Sequence, residues 1–212
     1  MQLFRLYNTD WNIDDLNNAI QYGQLAVQAT PEDHVDRVAR FSDLGAMFGQ
    51  RYQQEAQLQD LNQAIELASS SVSSAPIGYP NLPAFANNLS SYFGMRYDHS
   101  GEVDDLSWAI TLAQQAVGSA SKDDQNLPNY LDNLSTNLER RSTLERSESS
   151  REDALSSVRL GELVLQLLPD DDDNLPIYRN NLGKSFQSLY DQDNKVEYLD
   201  EAIRYARLTI AA

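Results

Sequence analysis

Apolar and small residues follow one another along this chain at helical spacing, and the pattern repeats at a fixed interval. From Ile13 onward, Leu16, Ala19, Ile20, Gly23, Ala26 and Val27 stand at i, i+3, i+4, i+7, i+10 and i+11. That is a single stripe on an α-helix. A longer pattern runs from Leu44 to Ile65: Leu44-Gly45-x-x-Phe48, Arg51-Tyr52, a polar gap, then Asp60-Leu61-x-x-Ala64-Ile65. Forty-five residues later stand Leu89-Ser90-x-x-Phe93, Arg96-Tyr97 and Asp105-Leu106-x-x-Ala109-Ile110. Forty-five residues earlier, Leu6-Tyr7 and Asp15-Leu16-x-x-Ala19-Ile20 keep the tyrosine and lose the arginine. A period of this size denotes a stacked array, because a helix pair of that length cannot bury its apolar face alone.

The pattern predicts helices from near Ile13, from about Asp36 to Gln53, from Leu58, from Leu82 to Tyr97 and from Val103 to Val117. Residues 1–8 read as the end of a helix that begins earlier. Thr30-Pro31-Glu32-Asp33 stops the helix before it, since proline cannot continue one readily. The helix beginning near Asp36 turns Phe41, Leu44, Phe48 and Tyr52 inward. Gly45, Ser90, Ser135 and Gly183 hold one register and are always small, which predicts close packing against the second helix of each pair. In the fourth unit Asp153-Ala154-x-x-Ser157-Val158 comes 48 rather than 45 positions after Asp105. Three residues are thus inserted within 142–151, a Ser- and charge-rich gap that tolerates length change. The period then resumes at Tyr198-Leu199-x-x-Ala202-Ile203. The expected architecture is all-α, a right-handed superhelical solenoid of stacked antiparallel helix pairs with about 45 residues per repeat. One domain spans 1–212, with a partial repeat at 1–31, repeats at 32–76, 77–121 and 122–169, and a last repeat at 170–212. Both ends fall inside the repeat, so the chain reads as a fragment of a longer protein whose end helices expose apolar faces.

These residues resemble the tetratricopeptide repeat, a helix–turn–helix unit with an L-G-x2-Y core followed by small residues and a proline. Leu44-Gly45-Ala46-Met47-Phe48 and Leu182-Gly183-Lys184-Ser185-Phe186 fit the first motif with Phe for Tyr. Ala19, Ala26 and Pro31 fit the second. The period exceeds the usual ~34 residues, and the longer unit is similar to those of kinesin light chains and of fungal and bacterial arrays joined to caspase-like or nucleotide-binding signalling domains. Thr30–Arg37, Asn87-Asn88-Leu89 and Asn180-Asn181-Leu182 carry the likeness to the fungal form. The early aromatic of the first helix departs from it, being Phe41, then Ala86, Leu131 and Arg179. The resemblance is specific for the fold and weak for function.

It also implies that the first helix of each pair lines a concave surface. Just before the core leucine stand Ser42-Asp43, Asn87-Asn88, Asp132-Asn133 and Asn180-Asn181, with Lys184 nearby. A carboxamide offers donor and acceptor together, so such a ladder suits the backbone of an extended peptide. Related arrays grip peptides with similarly placed asparagines, which implies this role for Asn88, Asn133 and Asn181. The competing account is that they bond to the neighbouring repeat and set the stacking angle. The candidate peptide-binding residues are Asp43, Asn87, Asn88, Asp132, Asn133, Asn180, Asn181 and Lys184.

Charge narrows the partners. The formal net charge is −16, from 32 acids and 16 bases, which repels nucleic acid and anionic membrane and permits a basic peptide or protein. It also keeps an exposed array in solution. With no cysteine there is neither disulfide nor thiolate metal site. His34 and His99 are 65 positions apart and each falls in a predicted loop. No apolar run approaches the ~18 residues that span a bilayer, and the first residues form no signal peptide. A cytoplasmic, intracellular protein is expected. The run Asp170–Asp173 lacks the alternation and glycine of a calcium loop, and it occupies an inter-repeat turn ahead of a helix, where acids are favoured. The Arg-Tyr pairs at 51–52 and 96–97 are expected to pack the tyrosine with the guanidinium snorkelling outward. Trp108 falls on the polar side of its helix, a hint of a contact surface.

A clamp for a terminal carboxylate is set aside, because the faces that would carry its bases hold Ser42, Ala46, Asn87, Ser91 and Asp132, with only Lys184 and Arg140 basic nearby. No nucleophile–base set, phosphate loop or paired acids are present, so neither enzymatic activity nor a cofactor is expected. The expected function is a protein–protein interaction scaffold binding a peptide or protein segment in its groove, as the sensor or scaffold part of a larger signalling protein. The alternative is a spacer or oligomerisation arm that associates through its open end repeats.

Overall fold

A computed structural model describes residues 12–210. Among these residues every regular element is an α-helix: α1 (Ile13–Gln28), α2 (Arg37–Glu55), α3 (Leu58–Ser74), α4 (Leu82–Ser100), α5 (Val103–Ser119), α6 (Leu127–Ser142), α7 (Glu148–Leu167), α8 (Leu175–Asp193) and α9 (Val196–Ile210). The expectation for residues 1–8 lies outside the described residues. Two compact units divide between Asp105 and Leu106, in the first turn of α5.

The links show why helices start and stop where they do. Within pairs, α2–α3, α4–α5 and α8–α9 are each joined by two residues, whereas α6–α7 takes five, at 143–147. That difference is the three-residue insertion. Each short link opens with a left-handed residue, Ala56 (φ 54°), Gly101 (φ 73°) or Asn194 (φ 53°). Its N–H bonds to the carbonyl of Tyr52, Tyr97 or Tyr190, at 2.7 Å in every case, which satisfies an orphan carbonyl of the last turn. Between pairs, two successive turns recur. The N–H of His34, Tyr79, Asp124 and Asp172 meets the carbonyl of Pro31, Pro76, Ser121 and Pro169. Asp124 and Asp172 then accept from the N–H of Asn126 and Asn174 at 2.8 Å. The following helices carry Pro83, Pro128 and Pro176 in the first turn, where a missing N–H costs nothing.

In the first unit the core is built from Leu16, Ala19 and Ile20 of α1, Leu44, Met47 and Phe48 of α2, Leu61, Ala64 and Ala68 of α3, and Phe85, Ala86 and Leu89 of α4, all buried. The small register does what the pattern requires. A Cβ on Gly45 would lie 3.3 Å from the carbonyl oxygen of Ala64 and 3.4 Å from Leu67 Cβ. Gly49 admits the ring of Tyr92 from α4, whose Cε1 would stand 2.5 Å from an added Cβ.

The second unit repeats these contacts. Leu182 of α8 lies over Gly161 of α7, its Cδ1 3.0 Å from where a Cβ would be. Gly183 faces Ala202 and Tyr205 of α9 at 3.4–3.5 Å. Ala154, Val158, Leu182, Phe186, Leu189, Ala202 and Tyr205 form one core cluster, in which the rings of Phe186 and Tyr205 stack at 5.8 Å. The serines of the small register are buried too, and Ser135 donates to the Ser157 carbonyl at 2.9 Å.

Ala56 holds a conformation that costs an ordinary L-residue about 1 kcal/mol. Ala56→Gly is therefore expected to stabilise the fold by about 0.5–1 kcal/mol, read as a rise in the urea midpoint at unchanged slope.

Candidate functional site

The repeated arginine belongs to a device that pattern reading placed differently. Arg51 does not snorkel outward. It forms a two-pronged pair with Asp60 of α3, Nε to Oδ2 at 2.8 Å and Nη2 to Oδ1 at 2.6 Å. Its remaining Nη1 donates to Asn17 Oδ1 of α1 at 2.9 Å, and its head lies 5.3 Å from the centre of the Phe48 ring. Arg96 repeats the arrangement with Asp105 at 2.8 and 2.7 Å, with Asn62 at 3.2 Å and with Phe93 at 5.2 Å. In the second unit Arg141 grips Asp153 at 2.6 and 2.8 Å. All three aspartates are buried, and the hydrogen bond to each carboxylate raises the arginine's pKa. Such forks are geometrically specific. In the last pair the corresponding positions are Leu189 and Tyr198, which meet in the apolar cluster of that unit. Both charges are lost together. This joint replacement is the sequence signal that identifies the pair, because removing one partner would strand the other in the core.

The ladder residues occupy the first helices as expected, and their environments differ. Asp43 sits in a cleft between α1 and α2 lined by Gly23, Arg40 and Met47, and burial raises its carboxyl pKa. Asn87 and Asn88 are half-buried on α4, where the Asn87 carbonyl accepts from Ser91 Oγ at 3.1 Å. In the second unit Asn133 accepts from Asn137 Nδ2 at 3.1 Å, and Arg140 donates to Asn137 at 3.0 Å. Asn181 reaches across from α8 to α6, its amide 3.2 and 3.0 Å from the two carboxylate oxygens of Asp132. Further rungs join the same two helices. Tyr178 donates to Asn129, Ser188 to Glu139 at 2.6 Å, and Gln192 to the Ser142 carbonyl at 2.7 Å. Asn180 and Lys184 are exposed.

Thus Asn181 and Asp132 join neighbouring pairs, while Asn180 and Lys184, on the same helix, are exposed. Spacing alone could not separate these two sets, since adjacent positions on one helix turn share the period. The Asp132 carboxyl is pushed up to about 6 by burial, against the opposing effects of the Asn181 amide and the Lys184 charge.

Elsewhere, Trp108 is 56% exposed, as its helix position indicated. Asp172 of the acidic run serves its own turn. Among the described residues no three acids or histidines gather at metal-binding distance, and no helix is long and apolar enough to cross a membrane.

The fold is that of the tetratricopeptide-like repeat arrays. The chain is similar to a crystal structure of a kinesin light chain from Podospora anserina with nearly identical TPR-like repeats, at 16% identity, TM-score 0.63, covering 98% of this chain and 93% of the other. It is also similar to a crystal structure of the MamA protein, at 15% identity, TM-score 0.58, covering 97% and 90%. By sequence, neither a family model nor a curated protein matches.

Two measurements test this geometry. Asp105→Ala is expected to destabilise by about 2 kcal/mol, less than for a fully buried pair because the arginine is partly solvated. The double variant Arg96→Leu with Asp105→Tyr, copying the last pair, should recover most of that loss in chemical denaturation. For Asp132, the folded form binds a proton more tightly than the unfolded one. Its contribution to stability is therefore fully present below the ordinary carboxyl pKa and declines as pH rises from about 4 to about 6, by at most about 3 kcal/mol. Asp132→Asn should remove that difference when the two stability–pH curves are subtracted.

Proposed function

We propose that this chain is a protein-interaction scaffold whose first-helix faces bind an extended peptide or protein segment. The observation that carries the reading is the ladder of carboxamides and acids at one-pair intervals, held on rigid helices with part of each side chain open to solvent. Asn87, Asn88, Asn133 and Asn180 supply paired donors and acceptors, Asp43 and Asp132 supply charge suited to a basic segment, and Lys184 limits the acidic stretch. A protein partner, rather than nucleic acid, membrane or a substrate to be transformed, suits a chain of net charge −16 in a fold that recognises extended surfaces. The sensor or scaffold role within a larger cytoplasmic signalling protein belongs to the same proposal.

A second reading, an arm that associates through its ends, is favoured by one observation. Ile203, Leu208 and Ile210 of α9 are exposed.

Asn88→Ala should weaken capture of a basic peptide or protein from source-cell extract by about tenfold, with helicity and melting unchanged; adding Asn133→Ala should weaken it further at some cost in melting, since Asn133 accepts from the buried Asn137 amide. Asn181→Ala serves as the contrasting control. It strands Asp132 at the α6–α8 contact and should lower the melting temperature. If the first variant retains full capture, the ladder is not the binding surface.

A further inference from the structure

One edge of the first unit is open where the same edge of the second is filled. In the second unit Leu127, at the start of α6, and Leu168, at the end of α7, pack against a core of Leu131, Val164 and Tyr178. Two repeats earlier the positions of those leucines hold Arg37 and Ala75. Arg37 extends to the turn after α1, where its Nη1 donates to the Thr30 carbonyl, and its head stands 5.2 Å from the centre of the Phe41 ring. Between the α1–α2 turn, the first turns of α2 and the end of α3 lies a cleft of about 430 Å³, with Val38, Phe41 and Pro76 as apolar walls. Helix α1 precedes it and α4 follows, so it lies inside the array.

The outer rim differs in the opposite sense. Val35, which lines the cleft, is 67% exposed, and Ile77, which follows the lining Pro76, is 106% exposed. The second unit has Gln125 and Asp173 at the first of these positions, and Lys122 and Asp170 at the second. Apolar atoms thus face solvent on the edge whose interior lacks its two leucines, whereas the filled edge is polar outside. An apolar patch with a polar rim marks an interaction site. The rim charge is negative. Glu32 and Asp33 are exposed at the mouth of the cleft, while its one guanidinium, Arg37, is already held by the Thr30 carbonyl.

We infer that this edge binds a short segment of a partner protein, in which one leucine- or phenylalanine-sized side chain enters the cleft and neighbouring lysine or arginine residues meet Glu32 and Asp33. The side chain supplies what Leu127 and Leu168 supply in the second unit, and the bases answer the acidic rim. A second copy of the chain is the poorer occupant, because it would set these acids against another surface of net charge −16. The site stands apart from the ladder on the first helices, so Asn88→Ala should leave its binding untouched.

The probe is a phage-displayed library of short random peptides selected on the full chain, with enriched sequences then synthesised, fluorescently labelled and titrated. Enriched peptides are expected to share one bulky apolar residue beside lysine or arginine. Val35→Asp with Ile77→Asp should weaken their binding by about tenfold or more. Glu32→Lys with Asp33→Lys should weaken it about tenfold and should improve binding of the same peptides with their bases changed to glutamate. All four substituted side chains are exposed, and unchanged helicity and melting will show that each variant folds. Arg37→Leu with Ala75→Leu, which copies the second unit, should close the cleft and abolish binding while the helical circular dichroism signal is kept. Absence of enrichment, enriched peptides without bases, or binding that Val35→Asp with Ile77→Asp leaves intact overturns the inference. Peptides lost to Asn88→Ala yet kept by that rim variant would sit on the ladder, which upholds the scaffold reading and overturns this one. Sedimentation showing two copies paired through Ile77 also overturns it.

Discussion

Each pair in this array holds its neighbour because one register of the first helix stays small. Gly45 lets α3 approach so near that an added methyl group would stand 3.3 Å from the Ala64 carbonyl oxygen, and one on Gly183 would meet α9 at 3.4 Å. Gly23 and Gly161 do the same between pairs, taking Leu44 and Leu182 from the next helix. Dense interiors transmit such constraints with little slack. Link lengths, turn chemistry and the placement of the ionic pairs all presuppose this spacing. Only at this separation can a side chain on α2 reach both its own partner helix and the helix before it.

Much of this was legible in the chain. Repetition gave the all-α class, the pairing of helices and the site of the insertion, because apolar periodicity and a conserved interval report directly on burial. The Arg51–Asp60 contact was harder. Its two members lie nine residues apart, on different helices, and neither stands on the apolar stripe. The sign of it is in the last pair, where Leu189 and Tyr198 replace both members together. Asn181 is a different case. Interval and residue type are identical for a side chain that faces solvent and for one that binds the previous pair. Only geometry distinguishes Asn181, bonded to Asp132, from Asn180, one residue away and exposed.

The second unit also departs from the first in how it joins successive first helices. There the α6–α8 contact is rich in polar rungs, with Asn129, Asp132, Glu139 and the Ser142 carbonyl each engaged. In the first unit an aromatic ring fills the corresponding level, Tyr92 over Gly49. Polar rungs are directional and specify register, whereas a ring filling a glycine notch specifies distance. The same repeat thus uses two different means to fix how one pair follows another.

The guanidinium contacts of the first unit have a bearing on how that unit comes apart. Asn17, Arg51 and Asp60 tie α1, α2 and α3 together, and two residues beyond Asp60 the thread resumes through Asn62, Arg96 and Asp105. Fraying at one end would leave a charged group of the adjoining pair half-solvated and missing one of its bonds. Melting should then spread from one module into the next, giving the segment a single sharp transition where weakly linked modules would unravel one at a time.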